Sequence, residues 1–315
     1  MLRLIPTLLL AAAPLTTPAQ HDPQVGRSRG AALGWVDPGW LERVLRRGAG
    51  PDAKALVAEF ARAHPSKALP KGTTVSEGAL LHILTANLDE DPEPEHLLMI
   101  GPDPAHTELY VLDQRDQGWA MVFDEHFDLF NEKPRLHVLR NGVFYLKTLH
   151  ERGSGAWLFT WRFFKLVDGR VLDALEIVQE SSLQMEASDL YQHAEATVRQ
   201  SPSGFSVTYE YAFSPSQRLL IDLGLRKDST DAREVKLIAG KGSVDYAWDP
   251  ARKRLAARYV AGGLDEAKVR SLAELGEEEH VAAAFRRELE ELASKGNAEQ
   301  RKVAAHLLGK AASAK

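Results

Sequence analysis

The sequence predicts a mainly β protein with helical ends, an antiparallel, propeller-like meander of about three blades. Between residues 80 and 260, short runs of Val, Ile, Leu, Phe, Tyr and Trp alternate with turn residues. Asn141-Gly142 and Asp168-Gly169 separate such runs and indicate tight hairpin turns, because both positions tolerate positive φ. The segments before and after this region repeat apolar residues at helical spacing instead.

The first 19 residues have the order of a secretory signal peptide. Arg3 precedes an almost wholly apolar run over residues 4–15, and Ala19 is a small residue suited to cleavage. The run is shorter than the ~20 residues of a spanning helix, and an uncleaved N-terminal anchor is the alternative. We therefore expect a secreted or periplasmic protein with no transmembrane segment after cleavage, and a flexible leader over residues 20–34.

An N-terminal helical segment is predicted over residues 35–75. Asp37-Pro38 is typical of an N-cap followed by proline at the first helical position, and Gly48 ends this helix. A second helix is predicted over residues 52–64, where the following proline stops it.

The β domain is predicted over residues 76–262. Residues 76–87 also fit helical spacing, but the strand pattern that follows favours a strand there. The expected strands are residues 80–86, 96–100, 108–112, 119–123, 136–139, 143–148, 157–166, 171–178, 193–199, 205–212, 234–238, 243–248 and 255–259. About a dozen strands correspond to about three four-stranded blades, fewer than the four to eight that close a propeller.

Residues 263–315 are predicted to form a C-terminal helical hairpin. Val281, Phe285 and Leu289 recur at four-residue spacing and form the apolar stripe of one helix. Asn297, with Gln300 three residues later, resembles a capping box that opens the last helix.

The composition excludes several classes of site and partner. The 315 residues carry 39 Lys and Arg against 44 Asp and Glu, a formal net charge of −5. Nucleic-acid-binding domains favour a basic face, so we expect no nucleic-acid partner. The chain has no cysteine, which excludes disulfides, thiol catalysis and cysteine-ligated metal sites.

One loop has the pattern of a metal site. Oxygen-bearing side chains occupy alternate positions, namely Asn87, Asp89, Asp91, Glu93 and Glu95. Calcium takes six to eight oxygen ligands from a tightly curled loop, and alternate spacing lets side chains converge. In the calcium-loop pattern the seventh position contributes its backbone carbonyl, which here is that of Glu93. The sequence therefore predicts calcium as a cofactor, and the alternative is a solvated acidic turn.

The segment 87–101 resembles the repeat of FG-GAP and VCBS-type secreted proteins. An apolar strand is followed by Asn-Leu-Asp-x-Asp-x-x-x-Glu and then by Leu-Leu-Met-Ile-Gly. The resemblance implies a calcium loop between β-propeller strands, and it extends weakly over residues 80–260. Pro92 stands where the family has glycine, and Asn87 replaces the leading aspartate, which lowers the ligand charge.

These patterns favour a secreted, non-enzymatic binding or scaffold module of FG-GAP/VCBS-like type, stabilised by calcium. Its expected ligand is a protein or a glycan. One alternative is an extracytoplasmic hydrolase, because residues 124–128 combine His126 with carboxylates that can act in acid–base chemistry. Another is an adaptor that acts through the C-terminal helices. Trp157 and Trp161 share strand parity, and both are expected to fill the core.

Overall fold

The computed structural model describes residues 32–313, except for 48–51, 67–68, 90, 104, 130–134, 154, 185–187, 202–203 and 229–234. Within this part of the chain, thirteen strands form two antiparallel sheets, with helices at both chain ends. The strands are β1 (Gly34–Val36), β2 (Leu80–Ala86), β3 (Glu95–Asp103), β4 (His106–Arg115), β5 (Gly118–Phe127), β6 (Leu136–Val138), β7 (Val143–Gly153), β8 (Ala156–Val167), β9 (Arg170–Leu183), β10 (Leu190–Ser201), β11 (Gly204–Pro215), β12 (Ile238–Asp249) and β13 (Arg254–Ala261). The helices are α1 (Pro38–Arg47), α2 (Ala53–Ala63), α3 (Gln217–Asp222), α4 (Glu266–Ser271), α5 (Glu278–Ala284), α6 (Arg286–Lys295) and α7 (Ala298–Ser313).

The small sheet has the strand order β1-β5-β4-β3-β2, and α1 and α2 cover one of its faces. Trp40 of α1 donates its indole N–H to the carbonyl of Leu56 at 3.0 Å, which joins the two helices. Phe60 of α2 packs between Trp40 and Tyr110 of β4, with ring centroids 4.9 and 5.3 Å apart. These apolar contacts fix the helices on the sheet, in agreement with the predicted N-terminal helical segment.

The large sheet has the order β13-β12-β11-β10-β9-β8-β7-β6, so each strand pairs with its neighbour in sequence. Asp168 and Gly169 both have positive φ in the β8–β9 turn, as the sequence predicts. Strands β9 and β10 pair only where residues 180–183 face residues 192–195. Beyond that point Phe163 of β8 stacks on Phe205 of β11, with centroids 4.6 Å apart, so the sheet curls.

The two sheets pack face to face through a shared apolar core, called here the middle core. Because strand residues alternate between faces, Leu97 and Met99 of β3 point into it while Leu98 and Ile100 point toward α1 and α2. The large sheet contributes Phe144, Leu146, Phe164 and Leu166. The layers therefore run helices, small sheet, large sheet, helices.

The C-terminal helices pack on the other face of the large sheet. Phe285 is fully buried, and its ring lies 5.4 and 5.2 Å from those of Tyr211 and Phe213. Asp189, immediately before β10, accepts hydrogen bonds from Arg218 and Lys310 and so links α7 to the sheet. The apolar stripe of these helices is therefore part of the protein core.

The predicted capping box is present at the start of α7. The backbone N–H of Gln300 donates to Asn297 Oδ1 at 2.9 Å, and the N–H of Asn297 donates to Gln300 Oε1 at 3.0 Å. A helical hairpin was predicted for the C-terminal segment, but the structure has four helices there, α4 to α7. Phe285 separates α5 from α6.

Several other predictions need correction. The described strands form sheets of five and eight rather than four-stranded blades, because the β6–β13 ladder continues from hairpin to hairpin without a break. Strand β1 and helix α3 were not predicted. Trp157 is 37% exposed whereas Trp161 is buried. Trp157 is the second residue of β8, near the β7–β8 turn, and its indole N–H faces Glu180 Oε1 at 3.4 Å instead of the core. Residues 1–31, with the predicted signal peptide and most of the leader, lie outside the described residues.

Among the described residues, no helix is both long and apolar enough to span a membrane.

Replacing Phe285 by alanine tests whether the C-terminal helices belong to the core. Loss of this buried ring is expected to lower the free energy of unfolding by about 3–5 kcal/mol. Urea denaturation of the full chain measures it, with Leu45→Ala as a control at a 43% exposed position. A loss of about 0.5 kcal/mol or less, the range of surface substitutions, would indicate that the C-terminal helices do not contribute to the core.

Candidate metal site

The acidic loop connects β2 to β3, and one apolar residue fixes it between the sheets. Leu88 is fully buried in the middle core, where it joins side chains from both sheets. Its carbonyl oxygen lies so close to Gly142 that a Cβ added there would stand 2.3 Å away. The loop is therefore held against the β6–β7 turn of the large sheet.

Three carboxylates of the loop converge. One oxygen each from Asp89, Asp91 and Glu95 can be chosen so that all three lie within 4.8 Å of one another. Glu95 is buried, Asp89 is half-buried and Asp91 is exposed. Three oxygens at this spacing can coordinate one cation, with the exposed side left to water.

Backbone hydrogen bonds curl the loop toward this arrangement. The N–H of Asp91 donates to Asp89 Oδ1 and the N–H of Glu93 donates to Asp91 Oδ1, each at 2.9 Å. Such bonds from aspartate to the backbone two residues on are typical of Asx turns. The side-chain amide of Asn87 donates to the backbone carbonyl of Asp91, which connects the start of the loop to its middle.

Glu95 is the first residue of β3, and its carboxylate accepts the backbone N–H of Leu88 at 2.5 Å. Burial raises the pKa of Glu95 to about 7, and the nearby charges of Asp89 and Asp91 add to this increase. The hydrogen bond from Leu88 acts in the opposite direction but is outweighed. In the absence of a cation, Glu95 therefore holds a proton well above the usual range of a carboxylic acid.

The structure divides the five predicted ligands into two sets. Asp89, Asp91 and Glu95 converge, whereas Glu93 is outside the group and contributes its backbone N–H to Asp91. Asn87 uses its amide nitrogen within the loop, which leaves its amide oxygen as a further donor for a cation. No role was assigned to Leu88 from the sequence. A single apolar residue among acidic ones could have indicated that its side chain anchors the loop in the core.

The alternative acid–base cluster lies on a strand rather than in a loop. Residues 124–127 belong to β5, where His126 faces Glu108 of β4 across the ladder. Glu125 points to another partner, since its carboxylate lies 3.7 Å from Arg162 of β8. The loop-borne site that the sequence suggested is therefore absent from the described residues, because β5 continues farther than its apolar run.

Comparison of the chain with models of protein families, with curated proteins and with solved structures gave no match.

Gly142→Ala is expected to displace the loop. Gly142 has a positive φ of 71°, and a Cβ added there would clash with Leu88. Gly72→Ala is the control, because Gly72 has a φ of 88° and no atom within 4 Å of an added Cβ. Because alanine would have a positive φ at either position, the difference between the two variants reports mainly the steric clash at Gly142. We expect Gly142→Ala to be less stable than Gly72→Ala by about 1–3 kcal/mol in urea denaturation. Equal stabilities would contradict the packing of the loop on the turn.

The raised pKa of Glu95 predicts a pH-dependent stability in the presence of chelator. The native carboxyl keeps its proton up to about pH 7, whereas an unfolded glutamate loses it near the model value of 4.5. Native protein therefore binds more protons in this window, and stability falls as the pH rises through it. Thermal midpoints between pH 5 and 7.5 should fall less in Glu95→Gln than in the wild type. Glu93→Gln should behave as the wild type, and an unchanged slope in Glu95→Gln would contradict the assignment.

Proposed function

We propose that this protein is a non-enzymatic binding or scaffold module, in which a calcium ion held by Asp89, Asp91 and Glu95 fixes the β2–β3 loop. The observation that carries the proposal is the convergence of three carboxylates, one of them buried, within 4.8 Å. Three carboxylates this close repel one another when all are ionised, and the raised pKa of Glu95 reflects burial together with this repulsion. A divalent cation would offset the repulsion and let all three carboxylates ionise.

The chemistry of the donors favours calcium over a transition metal. The group contains carboxylates and neither histidine nor cysteine, and hard cations prefer oxygen ligands. Calcium also tolerates irregular geometry, so the Asn87 amide oxygen, backbone carbonyls and waters can complete its coordination. Magnesium requires a near-ideal octahedron and dehydrates reluctantly, which a partly exposed loop on one strand connection does not provide.

The resemblance of residues 87–101 to FG-GAP and VCBS repeats supports the same assignment. We take the loop to be a calcium loop of that type, set between the small sheet and the large sheet. Pro92 fixes φ where the family has glycine, and three carboxylates are fewer than a high-affinity site offers, so a dissociation constant of about 10⁻⁴–10⁻³ M is expected. Extracellular calcium modules work in this range, which accords with the secreted or periplasmic location proposed from the N-terminal sequence.

The role as a binding module rests on the position of the loop. Leu88 anchors the loop in the middle core, while Asp91 is exposed at its tip. A bound ion would hold the tip in one conformation and so preorganise it for a ligand, a protein or a glycan.

Calcium is expected to raise the thermal unfolding midpoint of the full chain. A ligand that binds only the native state adds about 2.7 kcal/mol at a concentration of 100 times its dissociation constant. The shift should be measured against chelator and should be lost in Asp91→Asn, which removes one ligand charge at an exposed position. Glu93→Gln is the matched control in the same loop and should keep the shift.

Three results would count against the proposal. The midpoint could stay unchanged at about 10 mM calcium, well above the expected dissociation constant. Asp91→Asn could keep the whole shift, which would locate the ion elsewhere. Zinc could stabilise the protein at micromolar concentration while calcium does not, which would contradict the assigned donor chemistry.

A further inference from the structure

A charged cluster lies where β5 of the small sheet approaches β8 and β9 of the large sheet. Arg162 of β8 is at its centre, with 18% of its side chain exposed. Its guanidinium contacts Asp173 of β9 at 2.5 Å and lies 3.7 Å from Glu125 of β5. The guanidinium also lies over the rings of Phe127 and Phe164, 5.3 and 5.2 Å from their centroids. Arg162 therefore joins the two sheets.

A histidine–carboxylate pair lies beside this junction. His150 Nδ1 is 3.1 Å from Glu176 Oε1, and the same oxygen accepts the hydroxyl of Thr160 at 2.7 Å. His150 lies at a register shift between β7 and β8, where Leu149 and Glu151 pair with consecutive residues. An extra residue of this kind re-aims its side chain, which brings His150 to Glu176 of the strand beyond β8.

Carboxylates outnumber cations among the groups that act directly on Arg162 and His150. Three carboxylates surround Arg162, namely Glu125, Asp173 and Glu176, and Glu151 adds a fourth next to His150. With a neutral imidazole, Arg162 is the one cation among these groups. A protonated imidazole supplies a second cation and takes Glu176 as its own partner.

We propose that His150 is a proton-sensitive switch for the contact between the two sheets. When protonated, it holds Glu176 and leaves Arg162 to Asp173 of its own sheet and Glu125 of the small sheet. When neutral, it frees Glu176 to compete for Arg162, and the junction with β5 loosens. Acidification thus tightens the sheet contact and alkalinisation loosens it.

The electrostatics of both partners agree with this direction. The hydrogen bond to Glu176 raises the pKa of His150 above that of an ordinary histidine, although burial opposes it. Burial pushes the pKa of Glu176 upward, but the hydrogen bonds from His150 and Thr160 outweigh it and hold that pKa below its usual range. Since the folded pKa of His150 is the higher one, its contribution is present below pH 6.5 and is lost as the pH rises through the folded value.

The test compares thermal midpoints of the full chain at pH 5.5 and 8.5. The wild-type midpoint should fall between these values by about 1–4 °C more than that of His150→Gln, which is neutral at both. Glu176→Gln should reduce the fall in the same way. His193→Gln is the matched control, because His193 is an exposed strand histidine on β10, and it should behave as the wild type.

Amide hydrogen exchange localises the effect. Between pH 5.5 and 8.5, protection of residues 124–127 and 172–177 should fall more in the wild type than in His150→Gln. If His150→Gln does not fold, a nuclear magnetic resonance titration of the wild type decides, and the pKa of His150 should lie above 6.5, the ordinary value of a histidine. The proposal is overturned if His150→Gln keeps the wild-type pH dependence, if exchange at β5 does not change, or if His150 titrates at or below pH 6.5.

Discussion

The burial of Leu88 between the two sheets is the contact on which the account of this protein depends. Its side chain belongs to the middle core, its N–H donates to Glu95, and its carbonyl rests on Gly142. One residue thereby connects the acidic loop to the small sheet, to the large sheet and to the buried carboxylate. Without this anchor, three carboxylates within 4.8 Å would relax apart into solvent.

The same middle core explains why charge is concentrated at the edges of the sheet–sheet contact. Apolar side chains fill the centre, so polar groups that connect the layers lie at its margins, where partial burial strengthens their interactions. The loop carboxylates occupy one margin and the Arg162 cluster another. In each place a cation, either calcium or the protonated His150, would balance an excess of carboxylates.

Local features of the fold were readable from the sequence. The strand expected over residues 80–86 coincides with β2, Asp168-Gly169 forms the β8–β9 turn, and Asn297 with Gln300 caps α7. Each depends on neighbouring residues, which is the information that periodicity and turn chemistry carry. The division of thirteen described strands into sheets of five and eight was not readable, because one hairpin resembles the next until the two sheets pack.

The site was predicted in part for a similar reason. Alternating oxygens identified the loop, but which carboxylate is buried depends on Leu88 and on the start of β3. His150 and Glu176 are 26 residues apart, and they meet through a register shift that no spacing rule reveals.

The central claim is that a buried, protonated Glu95 is also a calcium ligand, and calorimetry can test both halves together. Calcium should be titrated into the full chain at pH 6 in two buffers with different ionisation enthalpies. Since a ligand carboxylate must lose its proton, the account predicts one ion per chain and release of about one proton with it. Binding without proton release would show that Glu95 is not a ligand, and the absence of binding at millimolar calcium would contradict the account as a whole.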